Sequence, residues 1–352
     1  MMSRLMAIPV PHRRGLWIRK LRRRLNLILA RNLIQVGISL LLLLKGWQFY
    51  QFVQHFETQG ATPYVDRPAS VEAFLPISAL VSLKVWLFTG LFDPIHPAGL
   101  AIFIAVLIVS WLFGKAFCAW LCPIGALAEG LWRFGRRVFG RNLALPRLLD
   151  IPLRSVKYLL LLFFINSVVI LMPVQASALF QASPYNKIAD VKMLQFFLGL
   201  DQLTLGVILF FIAGSLFVQN FWCRYACPYG ALLGLLAVES PFAISRDPAL
   251  CTNCQLCTRA CPNRIDVARA QSIITPECTS CLNCVVVCPR QDALTMRAIF
   301  GRRAINPRLF AAGLLVAFFG ILAIAQITGH WQTSLTYPEF QALIPRAELF
   351  SH

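Results

Sequence analysis

Twelve cysteines are the residues of this 352-residue chain best able to do chemistry, and eight of them share one short stretch. Cys251, Cys254, Cys257 and Cys261 lead into Pro262; Cys278, Cys281, Cys284 and Cys288 lead into Pro289. Each set reads C-x2-C-x2-C-x3-C-P, and the second begins 27 residues after the first. In two-cluster bacterial ferredoxins, three thiolates of such a run grip one [4Fe–4S] cube. The fourth, ahead of the proline, is carried away to the other cube. The spacing therefore predicts two clusters. One is on Cys251, Cys254, Cys257 and Cys288, the other on Cys261, Cys278, Cys281 and Cys284. Structural zinc typically uses two C-x2-C or Cys/His pairs set further apart. A disulfide framework gives no reason for two identical runs each closed by Cys-Pro. Such clusters move single electrons, so the chain is expected to conduct them.

The other four cysteines form a second repeat. Phe117-Cys118-x3-Cys122-Pro123-Ile124-Gly125-Ala126-Leu127 matches Trp222-Cys223-x3-Cys227-Pro228-Tyr229-Gly230-Ala231-Leu232. At i and i+4 each pair is expected on one helical face, with the Pro and Gly ending or turning the helix. Repeats of parallel sense are related by an axis along the membrane normal, which would set the two pairs face to face. Cys118, Cys122, Cys223 and Cys227 are thus candidates for redox thiols or a further metal site; inert packing is the third use. Four soft ligands, duplicated and converging, favour the redox-active site.

A membrane must position these residues. The chain is 58% hydrophobic and only 14% charged, against about 25% charged in soluble domains. Apolar runs at 33–53, 99–117, 156–174, 203–221 and 309–327 approach the length needed to cross a ~30 Å hydrocarbon core. A further stretch, 71–92, is apolar but broken by Pro76 and carries Lys84. Basic residues crowd the N-terminal tail (Arg4 to Arg31), the segment Arg133–Lys157 and the segment Arg224–Arg308, while 54–97, 175–202 and the C-terminal tail are sparse. By the positive-inside rule, the N-terminus and the eight-cysteine segment are cytoplasmic and the C-terminus is extracytoplasmic. Stretch 71–92 is then interfacial or re-entrant on the outer face. Membrane orientation accounts for the net charge of +18; no nucleic-acid recognition motif accompanies the arginines. The apolar run after the basic tail is too long for a cleavable signal and reads as an uncleaved anchor.

The expected fold is a membrane all-α bundle of about five transmembrane helices, with a re-entrant or interfacial segment, plus a small α+β two-[4Fe–4S] ferredoxin-like domain. Residues 1–30 form a basic cytoplasmic tail and 31–244 the transmembrane domain with the duplicated C-x3-C-P elements. Residues 245–300 form the ferredoxin domain, and 301–352 the last span and a short extracytoplasmic tail. The ferredoxin piece is too short to rest on an apolar core, so its clusters are expected to staple two hairpin-plus-helix units joined head to tail. Lys84 reads as a snorkelling side chain. Asp93-Pro94-Ile95-His96-Pro97 reads as an interfacial turn where a quinone or partner could be met. Trp111, Trp120, Trp222 and Tyr225 suit an aromatic belt. There is no C-x-x-C-H for attached haem, and no G-x-G-x-x-G fingerprint.

The paired C-x3-C-P elements followed by a two-cluster run resemble the NapH/NosR/MauN group of membrane polyferredoxins, over nearly the whole chain from about residue 30. The resemblance implies a multi-pass protein of the bacterial cytoplasmic (inner) membrane. It would relay electrons between the quinol pool or a cytoplasmic donor and a membrane or periplasmic respiratory or biosynthetic partner. Such a chain is an electron-transfer subunit of an oxidoreductase system rather than a complete enzyme. It departs from NosR in having no room between its first two spans for a large flavin-binding domain. Gln59-Gly60-Ala61-Thr62 lacks the flanking pattern of a covalent-flavin site. The C-x3-C-P pairs are also similar to those of CcoG-type proteins. That likeness gives an alternative, a metal-centre assembly factor reducing copper or disulfides.

Overall fold

The computed structural model describes residues 13–290, 292–298 and 304–350, with side chains from Leu27 onward. The basic side chains counted ahead of Leu27, together with Arg302 and Arg303, lie outside that description.

The chain is mostly helical. Helix α1 (Arg13–Glu57) takes in the second half of the expected tail and the first span as one element. It is followed by α2 (Pro76–Thr89), α3 (Pro97–Phe113), α4 (Ala116–Trp120), α5 (Pro123–Phe139) and α6 (Arg147–Phe164). Helix α6 continues as a π-helix over Ile165–Leu171. Next come α7 (Val174–Ala182), α8 (Pro184–Lys187), α9 (Ala189–Leu198), α10 (Gln202–Phe217), a π-turn at Trp222–Ala226, and α11 (Pro228–Val238). Proline stands in the first turn of α2, α3, α5 and α11, where its missing N–H costs nothing and its fixed φ suits the helix.

Among the described residues, Leu27–Glu57, Arg147–Leu171 and Pro307–Ile327 are long and apolar enough to cross a membrane. The remaining expected spans are shorter than their hydropathy suggested. Helix α3 has 17 residues and α10 has 16, the latter bent 84° from α9. Hydropathy runs on to Phe117, but Gly114 at φ 65° ends α3 first. A Cβ at Gly114 would stand 2.8 Å from Ser280 Oγ, so the bare backbone is what lets the ferredoxin loop approach. Helix α2, inside the 71–92 stretch, has 14 residues, about 21 Å at 1.5 Å per residue and short of a ~30 Å core.

Contacts sort the helix ends into two groups. At one end Arg31 of α1 meets Cys281, Phe113 of α3 meets Phe310, and Lys157 of α6 meets Glu277. At the other, Phe52 and Phe56 of α1 pack on Phe340, and Phe92 packs on His330 beyond the last span. The far end also corrects two readings. Lys84 does not snorkel: it is buried, and its ammonium donates to the Val168 carbonyl (2.9 Å) and to that of Met172, at the π-helical end of α6. The widened turn frees carbonyls that a cation can satisfy. Asp93 and His96 are likewise buried. Asp93 accepts from Ser82 and from the Ile95 amide (2.8 Å), while Glu72 Oε2 accepts from the Gly99 amide (2.8 Å) at the start of α3. Arg67 ties Glu72 to Asp190. This turn is buried and held by side-chain hydrogen bonds.

The ferredoxin segment holds β1 (Phe242–Arg246), α12 (Leu256–Arg259), β2 (Ser272–Ile273), α13 (Asn283–Val287), β3 (Leu294–Ala298) and β4 (Ala304–Ile305), and leads into α14 (Pro307–Ile327) and α15 (Tyr337–Leu343). Its antiparallel sheet has the order β2-β1-β3-β4. Strand β1 pairs with β2 of its own unit and with β3 of the next, so one sheet joins the two repeat units instead of two separate hairpins.

Candidate iron–sulfur and thiol site

The 27-residue repeat is visible in the backbone. Asn253 and Gln255 have φ of 54° and 58°, and their equivalents Ser280 and Leu282 have 45° and 62°. Left-handed residues alternating with ordinary ones turn successive N–H groups inward, forming a concavity of the kind that holds phosphates and iron–sulfur clusters. Amide groups already point at sulfur: Asn253 N–H donates to Cys251 Sγ and Ile265 N–H to Cys261 Sγ, both at 3.4 Å. Cys251, Cys254, Cys257 and Cys288 line one small cavity; Cys261, Cys278, Cys281 and Cys284 line a second. All twelve cysteines are free thiols. Among the described residues no three Cys, His, Asp or Glu side chains converge on a single ion. A cubane does not require that, because each thiolate sits on a different iron. The donor sets and the inward amides fit such a group.

The C-x3-C-P elements are built differently from the expected single helical face. Helix α4 stops at Trp120, and Cys122 is extended (φ −70°, ψ 121°) as the N-cap of α5, its sulfur accepting from Gly125 N–H at 3.4 Å. Cys227 caps α11 in the same way, accepting from Gly230 N–H at 3.2 Å. The proline starts the next helix and does not end the last. Cys118 lies in α4 and Cys223 in the π-turn, so the two repeats differ at their first cysteine. A Cβ at Gly125 would fall 2.2 Å from the Cys118 carbonyl oxygen. Gly125→Ala should therefore push α5 away from Cys118 and lower stability by about 1–3 kcal/mol, as other overpacking does. Thermal unfolding checks this, and an unchanged melting temperature with unchanged thiol accessibility would contradict the geometry.

All four of these cysteines line one cavity of about 130 Å³, together with Lys115 and Cys281. Burial pushes the Cys118 thiol up to about 12 and the Cys122 thiol up to about 11. Four thiolates there need a cation among them, and Lys115, itself buried, supplies one charge from the wall. Cys281 brings the second ferredoxin loop to the same space.

Three side chains strap that loop down, and Arg224 holds the segment after Cys261. Arg31, 1% exposed, donates to the Cys281 carbonyl (3.2 Å) and to Glu129 Oε1 (2.7 Å). Trp120 Nε1 donates to the Ser280 carbonyl (3.3 Å). Lys157 Nζ donates to Glu277 Oε1 at 2.6 Å. Arg224 donates to the Asn263 carbonyl (2.6 Å) and forks onto both oxygens of Asp150 (3.0 and 2.9 Å). Burial alone would raise the Glu277 carboxyl, yet the Lys157 ammonium holds it below the usual range. Arg31, Lys157 and Arg224, counted in the sequence as orientation charges, are thus buried partners of the ferredoxin segment. Trp120 and Tyr225, expected in an aromatic belt, are buried too, Tyr225 donating to Asp150 Oδ1 at 2.6 Å. Trp111 is exposed. The acids Glu129, Asp150 and Glu277 were missed. Their signal is that each is a rare carboxylate in basic or apolar surroundings, where an acid must find a partner.

Both cysteine-bearing segments also match known proteins. A family model described as a 4Fe-4S binding domain matches residues 95–142 and 200–245, the two C-x3-C-P elements, and a 4Fe-4S dicluster domain matches 243–289. YccM of Escherichia coli, named as an electron transport protein, is 41% identical over 311 residues, covering 86% of each chain. The ferredoxin-type protein NapH of the same organism is 31% identical over 213 residues, 57% of this chain and 69% of NapH. The regulatory protein NosR of Pseudomonas aeruginosa is 30% identical over 201 residues, 53% of this chain and 27% of NosR. No solved structure matches the chain. These names do not favour the metal-centre assembly alternative. The chain belongs with YccM to the NapH/NosR-like ferredoxin-type membrane proteins, iron–sulfur electron-transfer proteins of the inner membrane.

Proposed function

We propose that the chain relays electrons between two [4Fe–4S] clusters and a thiol site at the membrane surface, with Cys251, Cys254, Cys257 and Cys288 holding one cluster and Cys261, Cys278, Cys281 and Cys284 the other. When bound, the clusters supply one-electron exchange between a cytoplasmic donor or a membrane quinol and a membrane or periplasmic redox partner. One observation carries the reading: Cys281 shares a cavity with Cys118, Cys122, Cys223 and Cys227. Arg31, Trp120 and Lys157 fix the Cys281 loop against that cavity, and Arg224 fixes the segment after Cys261. Lys115 offsets the charge of the four thiolates, whether they hold a metal or work as dithiols. The excess of arginine and lysine at the ferredoxin end supports a cytoplasmic location for it, where thiolates stay reduced.

Anaerobically purified protein should contain about eight irons and eight acid-labile sulfides per chain from two cubanes, with any excess belonging to the C-x3-C-P site. The ligand partition has its own check by EPR. Cys251→Ser and Cys288→Ser should alter one signal, Cys261→Ser and Cys278→Ser the other. If Cys261→Ser instead alters the signal that Cys257→Ser alters, the assignment of the fourth ligands is wrong.

A further inference from the structure

A second cavity at the ferredoxin end has a different character. It measures about 220 Å³ and lies between the start of α6, the end of α10 and the loop after Cys261. Arg147, Arg154, Arg224 and Arg264 line it, with Asp150 as the single acid among the lining residues. That carboxylate is already fully engaged, by Arg224 through two bonds, by Arg154 and by the Tyr225 hydroxyl. One carboxylate cannot balance four guanidinium groups. The remaining contacts do not help: Arg264 donates only to neutral oxygens, of Leu143 (2.6 Å) and Gln219 (3.2 Å), among its described hydrogen bonds. Arg154 Nε is buried without a hydrogen-bond partner. Arg147 opens the 18-residue helix α6, whose N-terminal dipole adds to the positive potential.

The surroundings indicate where the missing anion comes from. Leu148, Leu149 and Ile151, in the first turns of the same helix, are 85%, 54% and 62% exposed. They begin the apolar surface of a segment long enough to span the bilayer. The cavity therefore sits where headgroups meet acyl chains. A phosphate ester suits it, because planar guanidinium forks pair with phosphate oxygens, and basic pockets between spanning helices bind anionic headgroups.

We propose that this cavity binds the phosphate of an anionic phospholipid. Arg224 and Asn263 connect it to the cluster loop, since Arg224 donates to the Asn263 carbonyl and the Asn263 amide donates to the Glu277 carbonyl (2.7 Å), next to Cys278. A bound headgroup thus braces the loop that faces the thiol cavity.

The test uses the full-length protein, purified anaerobically and placed in nanodiscs of phosphatidylcholine with or without phosphatidylglycerol. Native mass spectrometry counts retained lipid, and thermal unfolding reads stability. Phosphatidylglycerol should be retained over phosphatidylcholine and should raise the melting temperature. Arg147→Gln and Arg264→Gln should each weaken retention about fivefold, the effect of one arginine near a lipid surface. Arg137→Gln, exposed at the end of α5, should leave it unchanged. Equal retention of the two lipids overturns the proposal, as does equal loss with Arg137→Gln, which would indicate general basic attraction. Millimolar inorganic phosphate in phosphatidylcholine discs should not reproduce the stabilisation; if it does, the site serves a soluble anion and the lipid assignment fails. Should the variants not fold, the wild-type comparison of the two lipids and of phosphate decides alone.

Discussion

Cys118→Ser or Cys223→Ser is expected to stop electron flow through the chain while both ferredoxin clusters keep their EPR signals. The loss should exceed about a hundredfold, beyond the 10–100-fold cost of disturbing a residue that merely supports a redox site. Neither cysteine belongs to the two ferredoxin runs, so the clusters have no reason to be lost. Both cysteines line the cavity that Cys281 enters. The measurement is the rate of oxidation of the reduced clusters by a membrane acceptor, followed beside their EPR amplitude. Full electron transfer in both variants would remove the thiol site from the path. Loss of cluster signal together with flow would instead make the four cysteines part of the ferredoxin domain's scaffold.

The second large effect concerns the strap between membrane and ferredoxin parts. Lys157 has no exposed side-chain surface, and its ammonium stands 2.6 Å from Glu277 Oε1. Lys157→Met leaves the buried Glu277 carboxylate without its ion-pair partner, with the Tyr158 hydroxyl still donating at 3.3 Å, and should cost about 3–5 kcal/mol, the usual result of breaking one side of a buried pair. Lys157→Met combined with Glu277→Gln removes both charges and should recover much of the loss. Thermal unfolding followed through the cluster absorbance measures both variants. A double variant no more stable than the single one would show that the charge pair is not what holds the loop. The pair also sets a pH dependence. Because the Glu277 carboxyl is held low in the folded protein, its contribution is complete above the ordinary glutamate range, about 4.3. It fades as pH falls through the lower folded value. Acid should therefore loosen the ferredoxin docking of the wild type more than that of Glu277→Gln.

What the sequence made legible was local or compositional. The two C-x2-C-x2-C-x3-C-P runs stand out because the motif is a matter of spacing, and α1, α6 and α14 because long, predominantly apolar stretches have one main use. The misreadings came from decisions made by tertiary contact. A window of hydropathy does not register that Gly114 breaks α3 so that Ser280 can approach. Pro123 and Pro228 can end a helix, turn it or open the next one, and local sequence does not choose among these; here each opens the next helix. Arg31, Lys157 and Arg224 enter the sequence reading only as orientation charges, since a basic residue near a span end is counted for orientation by default. Their partners Glu129, Glu277 and Asp150 are 98, 120 and 74 positions away. No local pattern connects residues so far apart.

The grouping of helix ends has an energetic corollary. The Cys281 loop and the C-x3-C-P thiols share the end of the bundle marked by Arg31, Phe113 and Lys157, so in the proposed relay an electron passing between them does not run the length of the spanning helices. Within this chain the transfer step should therefore be indifferent to membrane voltage. Any coupling to the proton-motive force must arise in whatever mobile carrier or neighbouring subunit makes the crossing.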